Sequence, residues 1–242
     1  MFHTFLVQPI YNAFIYLIGI MPGGDVGFAI IALTLIIRII FYPAFASSIR
    51  TQMGMQAIQG ELDDINTKYK DNPEERTRRT MALFTEHKVR PLSGFLALLV
   101  QVPVFIALYY AFFREGLPKI DASQLYSFVQ VPHVVSVSFL GFVDLLAKHN
   151  IVLAAVVFGL QFFVAYVSLL RVKGSASKVL SPEKAAAQRL QQQMMLYFLP
   201  ALIGIISYSL PAAVGIYFCA GNVVSLGQEW VIRRQLNAAQ KV

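Results

Sequence analysis

Residues 27–45 read GFAIIALTLIIRIIFYPAF. Apart from Thr34 and Arg38, every residue in the stretch is apolar, aromatic, Gly or Pro. Its length suits a bilayer crossing of about 20 residues. An arginine at such a depth costs roughly 2.5–3.5 kcal/mol on insertion scales. That cost is tolerable only where the guanidinium faces water, a partner or a substrate. The stretch therefore predicts a cationic pocket inside a membrane.

The rest of the chain agrees with a membrane setting. Hydrophobic residues make up 57% and charged residues 14%, with mean hydropathy +0.60, whereas soluble domains carry about 25% charged residues. Cys219 is the one cysteine, which excludes an intramolecular disulfide. Hydropathy predicts five spans at about 27–45, 92–113, 151–170, 194–210 and 211–229, the last two joined by a tight hairpin at 208–211. In residues 1–22, Thr4, Gln8, Asn12 and Tyr16 recur every four positions. That spacing predicts an amphipathic helix lying at the membrane interface with a polar face toward water. The fold class expected is all-α and polytopic: an interfacial helix over 1–22, then a five-helix core over 23–242.

Lys and Arg set the orientation. Segment 46–91 holds eight, 171–193 holds five and the tail after Gln228 holds three, whereas the 113–150 loop holds three and the first 26 residues none. The expected topology is amino terminus outside and carboxyl terminus inside. The net charge of +7 thus speaks to topology rather than to DNA. The basic loop 171–193, with a helix cap expected at 181–183, suits anionic lipid or ribosomal RNA, with lipid the default because the positive-inside rule already requires the charge. On the opposite side a short helix is expected to start at Asp121.

Polar residues recur at one level in the spans. Counted from the inner end, Arg38, Gln101, Gln161 and Asn222 each lie roughly 10–14 Å deep at about 1.5 Å per residue, and Thr34 is one turn from Arg38 on the same face. Taken singly, the amides are interhelical glue. Together they predict a wet cavity in the inner half of the bundle. No acid precedes Glu229 in any span, so Arg38 is expected to have no internal counter-charge.

Residues 47–91 carry eight basic and seven acidic residues and predict an inner helical hairpin. Ile58, Leu62, Ile65 and Tyr69 follow a 4-3-4 spacing. Asn72, Pro73 and Glu75 fit the cap, first position and capping-box position of a second helix, whose apolar edge is expected at Thr77, Met81 and Phe84. No HExxH, CxxC, GxGxxG or P-loop pattern occurs, and His3, His87, His133 and His149 all lie outside the spans. Neither cofactor nor metal is expected, and the protein reads as no enzyme.

Four stretches resemble a known family: GFAIIALTLIIRIIFYP at 27–43, LFTEHKVRPLSGFLALLVQVPVFIALYY at 83–110, FLGFVDLL at 139–146, and the segment from MMLYFLPALIGIISYSLPAAVGIYFCAGN onward at 194–236. They are similar to the YidC membrane-protein insertases of the Oxa/Alb superfamily. Arg90, Ser93, Ala213 and Phe218 depart from the family pattern. The resemblance implies a multi-pass protein of the bacterial plasma (inner) membrane, with a hydrophilic groove open to the cytoplasm and to lipid. It implies that Arg38, Thr34, Gln101, Gln161 and Asn222 form that groove, with Tyr217, Phe218 and Gln228 as further lining. It also implies that the hairpin meets substrate or partner through Ile58, Leu62, Ile65, Tyr69, Met81 and Phe84. Nascent membrane proteins and the bilayer are the implied partners, together with the Sec translocon, the ribosome and the signal recognition pathway, and no nucleotide is consumed. The competing reading of the same polar level is a small transporter or anion-binding channel.

Overall fold

The computed structural model describes residues 3–90, 93–111, 117–170, 190 and 192–239. The basic residues of 171–189 and the cap expected at 181–183 lie outside them. The described chain is mostly helical: α1 (Gln8–Ile20), α2 (Val26–Ile40), α3 (Tyr42–Ala57), α4 (Gln59–Lys68), α5 (Pro73–Glu86), α6 (Ser93–Tyr109), α7 (Ile151–Leu170), α8 (Leu199–Ser209) and α9 (Ala212–Ala239). Two short strands, β1 (Ser138–Phe139) and β2 (Val143–Asp144), pair antiparallel in the 117–150 loop.

α7 is long and apolar enough to cross a bilayer unaided, with mean hydropathy 2.3 over Ile151–Leu169. Most of its length is not covered by protein, and Ile151, Val152, Val156 and Phe163 are exposed. An apolar helix this bare belongs in hydrocarbon. The span expected over 27–45 is not one helix. α2 stops at Ile40, and α3 leaves at 71° after the single break residue Phe41. Pro43 supplies the cause, because it has no N–H for Ile39 and its ring crowds that carbonyl. Hydropathy runs through the proline unaltered, which is why composition alone reads one span.

The end of the bundle carrying the 117–150 loop is stitched together by backbone hydrogen bonds. Ser136 receives Val26 N–H at 3.0 Å on its carbonyl and donates its own N–H to Gly24 at 2.9 Å. Gly24 sits at φ 63°, and a side chain there would strike the Val134 carbonyl. Asp25 caps α2, accepting from Gly27 N at 2.7 Å and Phe28 N at 3.2 Å through one oxygen, and from Leu140 N at 3.1 Å through the other. Farther along, His149 N donates to Tyr208 O, Ala212 N to Ala147 O and Ala213 N to Leu145 O, at 2.9–3.0 Å. The loop thus joins the start of α2 to the α8–α9 turn, over a core that includes Phe14, Ile15, Ile18, Ile30, Leu33 and Leu145.

α1 packs Tyr11, Phe14, Ile15, Leu17 and Ile18 into that core. Its expected polar stripe divides: Thr4 and Tyr16 are exposed, whereas Gln8 and Asn12 turn toward the loop. Asn12 is 1% exposed, donating to Gln8 O at 2.9 Å and Gln124 O at 3.1 Å and accepting from Tyr126 N at 2.7 Å. Gln8 reaches the same Gln124 carbonyl at 3.3 Å. The amides satisfy loop backbone that burial would otherwise orphan. The helix expected from Asp121 is a single 3-10 turn, Ala122–Gln124, with Asp121 capping Ser123 N at 2.8 Å.

At the opposite end, α4 and α5 form the hairpin. Ile58, Leu83 and Val89 are its buried centre, with Met55, Leu62, Ile65 and Phe84 packed around them. Tyr69 is half-buried, with the Arg79 guanidinium 6.0 Å from its ring centre. Met81 is 57% exposed and does not join the seam. It lies two positions from Leu83, roughly 200° around the helix. Asn72 caps α5 by accepting from Glu75 N at 3.1 Å. The reciprocal half of the capping box is absent: Asn72 N donates to Tyr69 O, and the Glu75 carboxylate holds Arg79 at 2.9 Å and Arg78 at 3.0 Å.

Two outcomes are expected. Asp25→Ala removes a helix cap worth about 0.5–2 kcal/mol and frees the Leu140 amide, so thermal unfolding in detergent falls below wild type. In α5, Arg79 and then Arg78 hold the Glu75 carboxyl below its ordinary range. A carboxylate with a depressed folded value stabilises above its unfolded pKa and loses that contribution as pH falls through the folded value. Exchange protection of the first-turn amides of α5, corrected for intrinsic rates, is therefore level from pH 8 to 6 and falls below about pH 4. Glu75→Gln removes that dependence.

Candidate functional site

The last four carbonyls of a helix have no partner within it, and α2 ends among apolar side chains. The Ile37 carbonyl takes the Phe41 amide at 2.9 Å. The Arg38 carbonyl takes the Gln228 side-chain N–H at 3.2 Å, and the Arg38 guanidinium donates back to the Gln228 carbonyl oxygen at 3.4 Å. The same guanidinium lies 4.2 Å from the ring centre of Phe45, in the first turns of α3. Gly221 of α9 lies beside it; a Cβ there would make only an ordinary contact with Nη2, at 3.7 Å. Arg38 is also in the last turn of α2, where a cation complements the helix dipole.

The guanidinium separates two recesses. The smaller, about 10 Å³, is bounded by Thr34, Arg38, Phe45, Gln101, Tyr217 and Gly221, and holds one water at most. In it the Gln101 amide donates to the Tyr217 hydroxyl. The Thr34 hydroxyl donates to Ile30 O at 2.7 Å, so it offers the recess only lone pairs. The larger recess, about 230 Å³, has room for several waters. Arg38, Ser48, Gln161, Ser168, Ser225 and Glu229 supply its polar wall; Val164, Met195 and Leu199 supply part of the apolar one.

The single polar level expected from the sequence therefore resolves into parts. Arg38 shares the smaller recess with Gln101 and the larger one with Gln161. Asn222 lines neither recess; it is 8% exposed, and its amide nitrogen has no hydrogen-bond partner. A buried orphan donor costs about 1–3 kcal/mol, which a water or a ligand carbonyl would remove. Of the further lining residues, Tyr217 and Gln228 touch the site's polar groups, whereas Phe218 packs against Tyr217 at 5.7 Å and against the core. Glu229, on α9, lines the larger recess together with Arg38. The stripe Asn222, Ser225, Gln228 and Glu229, spaced for one helical face, carried that signal. Phe45, Ser48, Ser168 and Gly221 carried none that composition could reveal. No group of three or more possible metal ligands occurs among the described residues.

Residues 18–240 match the family described as 60Kd inner membrane protein. The chain belongs to that family. Membership places it in the inner membrane, in keeping with the bare apolar face of α7. The membrane protein insertase YidC of Francisella tularensis subsp. novicida (strain U112) is 31% identical over 218 residues, covering 90% of this chain and 34% of the relative. The protein of the same name from subsp. holarctica (strain LVS) aligns with the same figures. The chain spans about a third of the length of these curated relatives.

Gln228→Leu strips the Arg38 carbonyl of its donor and the guanidinium of its acceptor. Detergent-solubilised protein is expected to lose about 1–3 kcal/mol against thermal unfolding. Gln161→Leu, whose side chain faces the open recess, is expected to change it by much less.

Proposed function

We propose that this chain inserts membrane proteins into the bilayer, using the larger recess to receive the polar tail that must cross. The observation that carries the proposal is a charged and hydroxylated recess at the hairpin end of a bundle whose other end is closed by the core and the hydrogen-bonded 117–150 loop. Family membership and the names of the relatives support it. In this reading α2, α6, α7, α8 and α9 span the membrane with the loop end outside and the hairpin inside, and α1 flanks them at the outer interface. A transporter would need a path at the loop end, where the core and the loop stand in the way.

The mechanism follows from electrostatics. A tail crossing about 30 Å of hydrocarbon loses its water throughout. A wet recess reaching roughly 10–14 Å in from the inner face shortens the dry part by about a third to a half. Within it Arg38 donates to carboxylates and carbonyls, while the Gln161 amide can donate to carbonyls and accept from amides. The hydrophobic segment then passes into lipid beside the bare face of α7, with no nucleotide spent by this chain. The hairpin, with exposed Met81 and its cluster of arginines, is the surface proposed to meet the substrate, the ribosome, the signal recognition pathway or the Sec translocon.

The two charges that line the recess set the test. Single-span substrates carrying acidic, neutral or basic outer tails are inserted into liposomes containing each variant. Arg38→Ala is expected to depress acidic tails several-fold and spare neutral ones. Glu229→Gln, which removes the negative charge from the recess wall, is expected to raise acidic tails relative to basic ones. Equal loss for every tail in both variants would make the two charges structural and overturn the reading.

A further inference from the structure

The turn between β1 and β2 is an unusual place for leucine. Leu140 and Gly141 have φ of 54° and 79°, and Phe142 N donates to Phe139 O at 3.2 Å. A hairpin turn with two left-handed central residues favours Asn-Gly or Asp-Gly. A γ-branched apolar side chain in the first position is strained and gains nothing from local hydrogen bonding. The strain is held in place by Asp25, whose second carboxylate oxygen accepts the Leu140 amide at 3.1 Å while the first caps α2. The Phe139 ring meets the Phe28 ring edge-on at 5.3 Å, over the side-chain-free Gly27. The tip is thus fixed rigidly to the start of α2.

What it presents is apolar. Phe142 is 76% exposed and Leu140 is 52% exposed, and the ten residues from Val134 to Val143 include no charge. The surface it continues is also apolar: Phe28, Leu35 and Ile39 recur at one face of α2 and are exposed along its length. The tip stands at the top of that stripe, joined to it through Phe28 and Phe139.

We infer that Leu140 and Phe142 form a wedge seated in the phospholipid leaflet at the loop end, at the boundary of headgroups and acyl chains. The inference rests on α2 and α7 facing lipid as proposed above. A rigid apolar tip beyond the end of a lipid-facing stripe sits where hydrocarbon begins, and its burial there offsets the turn strain. Because it hangs from the cap of α2, the wedge also fixes how deep α2, and with it Arg38, rides in the bilayer.

Trp230 is the chain's one tryptophan, so Trp230→Phe gives a clean background. Phe142→Trp in that background reports on the tip, and Phe163→Trp reports on the exposed face of α7. The full chain is reconstituted in phosphatidylcholine vesicles with plain acyl chains or with chains brominated near their upper end. The expected result is blue-shifted emission and at least two-fold quenching by the brominated lipid at both positions. Quenching at 163 without quenching at 142 overturns the wedge, whether the tip is then in water or covered by protein. Quenching at neither position overturns the membrane placement of α7 on which the inference rests.

Discussion

Arg38 and Gln228 hold each other in both directions, and the hairpin end of the bundle depends on that exchange. α2 has to stop where Pro43 forbids it to continue, and a helix that stops among apolar side chains exposes carbonyls. One of those carbonyls belongs to the residue whose side chain is itself the costliest group to bury. A single amide from α9 meets the carbonyl with its N–H and the guanidinium with its oxygen. Phe45 then lies against the cation because the 71° bend points α3 across the end of α2. The break, the charge and the cap are one arrangement, and the two recesses exist on either side of it.

The two ends of the molecule are built from different interactions. At the loop end, backbone amides of 134–149 pair with the α1–α2 corner and the α8–α9 turn, and buried Asn12 and Asp25 fix loop backbone in place. At the hairpin end the polar groups include side chains that face open space, among them Gln161 and Ser225. Polar groups with fixed partners close a structure; polar groups without them have hydrogen bonds to offer a guest. That asymmetry is what an inserter working from one face of a membrane needs.

Much of this is legible in the chain because a charge or an amide in an apolar run is conspicuous. Arg38, Gln101 and Gln161 stood out for that reason, and the structure sets one amide in each of the two recesses that Arg38 lines. Other features were hidden by the same logic. Hydropathy cannot see that Pro43 ends one helix and bends the chain into the next. The four-residue recurrence of Gln8 and Asn12 looks identical whether those amides meet water or the carbonyl of Gln124, more than a hundred positions away. Met81 fits a spacing that Leu83 and Val89 fill instead. In each case a local pattern was right about polarity and silent about which partner the fold supplies.

The central claim is that this chain alone moves a polar tail across a bilayer. Its most direct test is insertion by the purified protein in liposomes of a single-span substrate with a short acidic outer tail, scored by protease protection against empty liposomes. The account predicts protection well above the empty-liposome level, without added nucleotide. Protection no greater than in empty liposomes, with the protein folded and facing the substrate, would contradict it.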